Sequence, residues 1–161
     1  MKSTIHKLSI VLICILFIFP MMGCRARDNN EGDNVHFIME HMFATHINHI
    51  TRNQRDYMGR TLRFEGIFRH SYWEGRDFFH VFRFGPGCCS PQDEIGFEVS
   101  WDPDHQGFYT ITGEREYPNN GDWVEVIGNL SRYEIFGFPI LFIALSELNV
   151  LETRGAEFVT R

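Results

Sequence analysis

Between Leu62 and Val150 the apolar residues keep a two-residue period that glycines interrupt. Leu62, Phe64 and Phe68 alternate with Arg63, Glu65 and Arg69, and Gly66 sits in the middle of the run. Phe78, His80, Phe82 and Phe84 form a second alternating face. Ile95, Phe97, Val99 and Trp101 form a third, with Gly96, Glu98 and Ser100 turned away, and Val124, Val126 and Leu130 form a fourth around Gly128. Successive side chains of a strand point to opposite faces, so this period predicts half-buried strands, and a glycine inside one marks a bend, a bulge or a close backbone approach. The apolar run Pro139–Val150 is long enough for a helix or a strand; its content of Ile and Phe and the break at Gly137-Phe138-Pro139 favour a fifth strand. Trp73-Glu74-Gly75-Arg76 and Asn119-Asn120-Gly121-Asp122 supply turns.

Ahead of the strands, Ile38, Met42, Ile47 and Ile50 recur at broadly helical spacing, which predicts one amphipathic helix over residues 35–55, stopped near Gly59. The fold expected is mainly β: a small five-stranded barrel of the oligonucleotide/oligosaccharide-binding (OB) type, preceded by the helix. Such a barrel hosts many functions and names none.

The first 23 residues have a different character. Lys2, His6 and Lys7 precede an apolar run from Leu8 to Phe19, too short for a spanning helix, which needs roughly 20 residues. This is the pattern of an export signal, and Met21-Met22-Gly23-Cys24 resembles a bacterial lipobox, so Cys24 is expected to carry a lipid. Residues 24–34, rich in Asn and charge, have too little apolar content to repay ordering and read as a tether. Residues 35–161 then form the domain, and the chain is expected in the cell envelope, lipid-anchored on the extracytoplasmic side of a bacterial membrane.

Both lysines leave with the signal. The remaining cations are 13 arginines against 21 acids, a net charge of −8, which repels nucleic-acid backbones. No G-x-S-x-G, H-E-x-x-H or phosphate-binding glycine loop is present, so no enzymatic activity is expected.

Chemistry is carried by Cys88 and Cys89, set between Gly85-Pro86-Gly87 and Ser90-Pro91. Neighbouring Cα atoms lie about 3.8 Å apart, below the usual disulfide range of about 4.4 to 6.8 Å, so a bond between the two sulfurs would be strained and easily reduced. Either the pair cycles as a redox switch, or it stays reduced and binds a soft metal such as zinc, with ligands from elsewhere. His70 and His80 are the nearest candidates to complete a site: if the hairpin turns at Glu74-Gly75 with even-numbered residues sharing a face, both imidazoles lie on one side. His36, His41, His46 and His49 form a second group; His46 and His49 share a helix face, which permits metal binding, but with no Cys, Asp or Glu at matching spacing on that face the cluster reads as a solvated helix side. Asp93 and Glu98 read as exposed acids, and a third possibility is an interaction domain in which the thiol pair is incidental.

The segments Tyr57–Gly66, Arg83-Phe84 ahead of Cys88-Cys89, Asp122–Gly128 and Pro139-Ile140 together resemble the extracytoplasmic domain of a bacterial permease-subunit family, over about residues 35–152. The resemblance implies an accessory module beside a multispanning permease and zinc or a related ion at the cysteine loop. In that family an acid follows the pair closely, whereas here Ser90-Pro91-Gln92 displaces Asp93, and a lipid anchor stands where the family has membrane helices.

Overall fold

A computed structural model of the chain describes residues 35–86, 92–107 and 116–160. Strand β1 (Val35–Phe37) and a 3-10 turn (Glu40–Met42) lead into helices α1 (Phe43–Arg52) and α2 (Gln54–Tyr57). Five longer strands follow: β2 (Thr61–Trp73), β3 (Arg76–Gly85), β4 (Asp93–Ser100), β5 (Trp123–Ile135) and β6 (Phe138–Val150).

β2 closes the barrel by serving two neighbours. From Ile67 to Trp73 it pairs antiparallel with β3, and from Thr61 to Ile67 it pairs antiparallel with β5 along its other edge. β3 pairs with β4, β4 runs parallel to β6, and β6 returns to β5, so the five strands form a circuit with no long open edge. Outward from Glu98, one path reaches Arg69 through His80; the other passes through Phe142 and Ser131 to the level of Gly59. One circuit therefore slips the register by ten residues, and that slip tilts the strands enough to close a barrel of only five.

Strands tilted this strongly pass close to one another, and glycine marks the crossings. A Cβ on Gly96 would lie 2.1 Å from the Val81 carbonyl oxygen, and one on Gly128 would lie 2.3 Å from that of Ala144, beside the β5 bulge between Ile127 and Gly128. The interior holds Phe64, Phe68, Phe79, Phe97, Val126 and Ile143, closed by Phe43, Ala44, Ile47 and Ile50 of α1. Among the described residues no helix is long and apolar enough to cross a membrane.

Two expectations need correction. The β2–β3 hairpin turns on two residues, Glu74 (φ 49°) and Gly75 (φ 80°), as a type I′ turn requires. Trp73 therefore faces Arg76, and odd residues pair with even ones throughout. Phe79, Val81 and Arg83 turn inward, while Phe78, His80, Phe82 and Phe84 form the outer face. The helix is also shorter than expected, because Val35–Phe37 is extended and pairs parallel with Thr61–Arg63. That edge of β2 is open for want of β3, so an extended segment there gains hydrogen bonds that a helix could not make. Of the fold expectations, five main strands, α1 packed on the core and Gly59 (φ 75°) ending the helical segment are found.

Below the Ile67–Phe82 rung β2 and β3 part, and Arg83 fills the wedge. It is only 1% exposed, its guanidinium lying 4.9 Å from the Phe43 ring centre and 4.7 Å from that of Trp123. Nε donates to the Glu65 carbonyl oxygen at 2.8 Å, Nη1 donates to that of Ala156 at 3.2 Å, and Glu40 Oε2 stands 3.4 Å away. The C-terminal segment seals the outside: the Phe84 N–H donates to Glu157 and the Val159 N–H to Phe84, both at 2.8 Å.

Since the atoms crowding Gly96 are backbone, Gly96→Ala should destabilise the domain by about 1–3 kcal/mol. Equilibrium urea unfolding checks this; an unchanged midpoint would mean that the crossing is looser than described.

Candidate functional site

Cys88 and Cys89 lie outside the described residues, as does Cys24, but the strand ends that carry the cysteine loop are described. β3 ends at Gly85, which pairs with Asp93 at the start of β4. Because β3 runs antiparallel to β2, this rung lies at the end of the barrel where β2 begins, and there Val35 pairs with Thr61 as the chain enters the domain. The loop and the chain entry therefore share one end. Beside the loop a hollow of 300 Å³ is lined by Ile47 and Asn48 of α1, Pro86, Asp93 and Ile95. Asp93 and Asn48 line this hollow at the root of the loop; Glu94, next to Asp93, is paired with Arg69.

The structure separates His70 from His80. With odd residues paired to even, His70 stands opposite Phe79 and His80 opposite Arg69, so the two imidazoles project from opposite faces of the sheet. The shared face expected from sequence does not form, and one ion cannot take both rings. His70 Nε2 lies 2.6 Å from Asp77 Oδ1, and its ring stacks on Phe79 with centres 4.9 Å apart. His80 faces Glu98 across β4, five residues along β3 from Gly85, or roughly 16 Å at strand spacing. Burial lowers its pKa below the usual imidazole value, against the opposing pull of Glu98 and Glu94. Neither histidine lies at the root of the cysteine loop.

Glu98 is not an exposed acid. It turns away from the barrel core, yet it is 6% exposed because the segment after β4 folds back over it. Ser100 Oγ accepts from the Asp102 N–H at 3.0 Å, and Asp102 Oδ1 accepts from the Asp104 N–H at 2.9 Å; these turns deliver His105 onto the outer face of the sheet. There His105 Nε2 lies 2.8 Å from Glu98 Oε1, and the Tyr133 hydroxyl donates to Oε2 at 2.6 Å. His105 is 3% exposed, and its ring packs edge-on against Tyr133 and Phe142. Burial, reinforced by the Glu98 carboxylate, pushes the Tyr133 phenol well above its ordinary range, so it stays a donor. No exposed nucleophile belongs to this cluster, and its chemistry is that of a lock: it pins the long β4–β5 connection to the sheet. Polarity hid it in the sequence; the Asp102-Pro103-Asp104 turn directly after a strand was the available signal.

His36 of β1 and His46 and His49 of α1 gather around the Tyr57 ring. His36 packs against His46 with centres 5.5 Å apart and against Tyr57 at 5.3 Å, while His49 meets Tyr57 at 5.8 Å and Arg60 lies over it at 5.4 Å. Burial, then the neighbouring His46, Arg60 and His49, lower the pKa of His36. His41 is exposed. Among the described residues no group of three His, Cys, Asp or Glu side chains is arranged to hold a metal ion.

Comparison with protein-family models and with curated proteins found no match.

His80 supplies a pH dependence. Its folded pKa is depressed, so as pH falls below the ordinary imidazole value of 6.5 the unfolded chain takes up the proton first. The stability that follows from a neutral His80 is complete above pH 6.5 and is lost as pH falls through the folded value. His36 acts in the same direction. His80→Gln should therefore lose less stability than the parent between pH 7.5 and pH 5 in urea unfolding; equal losses would exclude His80 as a source.

Proposed function

We propose that this chain is a non-enzymatic binding module, held on the extracytoplasmic side of a bacterial membrane by a lipid on Cys24. It presents the Cys88–Cys89 loop, with a bound metal ion or small solute, to a membrane permease. The observation that carries this is the shared end: the rung Gly85–Asp93 at the root of the loop and the rung Val35–Thr61, where the tether enters, lie at the same end of the barrel. A lipid at the far end of the tether therefore holds the thiols toward the bilayer, where a permease would stand.

Zinc is the favoured ion. Two adjacent thiolates supply soft ligands, their mutual disulfide is strained, and an acidic chain concentrates cations. With His70 and His80 on opposite faces and away from the loop, the remaining ligands come from nearer residues, Asp93 foremost, and from the partner that receives the ion. A site completed by its partner suits transfer better than storage.

Native mass spectrometry of the mature chain at micromolar zinc tests this. One zinc per chain is expected, removed by chelator and absent from the Cys88→Ser, Cys89→Ser double variant. His70→Ala should keep its zinc. A metal-free spectrum of the parent chain would overturn the metal assignment.

A further inference from the structure

The β5–β6 hairpin, like β2–β3 with Glu74, puts a non-glycine residue at the left-handed first position of its turn, but here that residue is aromatic. Its two-residue turn is Phe136 (φ 52°) and Gly137 (φ 82°), a type I′ turn in which both positions are left-handed. Asn, Asp or Gly ordinarily fills the first position, because a bulky side chain is disfavoured there. Phe136 fills it nonetheless, and its ring is 96% exposed; Phe138, across the turn, is 70% exposed. The domain thus keeps the Phe136 ring in water at the cost of backbone strain, with Phe138 exposed beside it, and strain of this sort is an observation from which a function can be sought.

The direction of the hairpin gives the function. Asn129 of β5 pairs with Thr61, the residue that also pairs with Val35 at the chain entry. From there β5 continues six residues to Ile135, still paired with β6, so the tip lies roughly 20 Å farther along the strand than the rung at the entry. The hairpin points out of the end that carries the cysteine loop. Residues 25–34 separate Cys24 from Val35, ten residues that let the two lie at most about 40 Å apart when extended.

We infer that the Phe136–Phe138 tip dips into the lipid surface to which the chain is tethered, and so fixes how the barrel stands on it. This rests on the lipid anchor proposed above. Lipid suits the tip better than a protein does. Its projecting groups are phenyl rings, and the flanking charges, Arg132 and Glu134, cancel. An interface of headgroups and acyl chains accepts such rings without a matching shape. The acidic domain is repelled by anionic lipid, so the dip is driven by apolar burial and is expected on zwitterionic membranes.

The test uses the lipidated full-length mature chain in phosphatidylcholine vesicles. Phe136→Trp adds an indole whose emission is read by subtracting the parent, which carries Trp73, Trp101 and Trp123. The added emission should shift to the blue, fall at least twofold when the acyl chains are brominated, and resist aqueous acrylamide. An added emission that stays at water-exposed wavelengths and is quenched by acrylamide equally with and without vesicles would overturn the inference. Shielding found only in native membranes, never in protein-free vesicles, would assign the tip to a protein partner and likewise overturn it. Flotation with the vesicles, compared with a Cys24→Ala chain, reports the anchor separately. A chain that floats by its lipid yet keeps the added indole in water sinks the dip alone, whereas one that does not float sinks the anchor.

Discussion

β2 must pair with β3 over its second half and with β5 over its first, and this divided allegiance organises the molecule. Five strands close only if the register slips far enough, and the slip forces β2 and β3 apart below Ile67 and Phe82. The backbone edges exposed by that parting need partners. β1 takes the rungs at Thr61–Arg63, Arg83 takes the Glu65 carbonyl, and the C-terminal segment pairs with Phe84. A buried guanidinium is costly unless its donors are used. Here it reaches two carbonyls and approaches Glu40 between two aromatic rings, so it works as backbone pairing supplied by a side chain.

The same register gives the barrel two unlike ends. At one, β4 leaves into the long connection to β5, and the Glu98–His105–Tyr133 hydrogen bonds hold that connection against the sheet. At the other are the chain entry, the root of the cysteine loop and the aromatic hairpin tip. Near the first end Glu98 is bonded by both His105 and Tyr133, whereas at the second end the hairpin keeps Phe136 and Phe138 in water. The proposed function and the inferred membrane contact concern that one end.

The barrel was legible because alternation and glycine position are local signals. Gly128 sits where a tilted strand crosses its neighbour, and the Ile- and Phe-rich run to Val150 is a strand. What the sequence hid depended on pairing. A turn of two residues rather than three reverses which side of β3 faces inward, and this single parity separates His70 from His80 and sends Arg83 to the inside. Glu98 read as solvated because burial by a loop that folds back leaves no periodic trace. The segment Val35–Phe37 read as helix because its apolar spacing continues that of α1; only the vacant edge of β2, a product of the closed fold, makes it a strand.

Orientation on the membrane tests the account most directly. In a phosphatidylcholine nanodisc doped with gadolinium-bearing headgroups, backbone amide signals near the lipid broaden. Those of Asp93 and Gly137 should broaden strongly, while that of Gly75, in the turn at the opposite end of β2, should stay sharp. A broadened Gly75 beside sharp Asp93 and Gly137 would place the barrel the other way up and contradict the account.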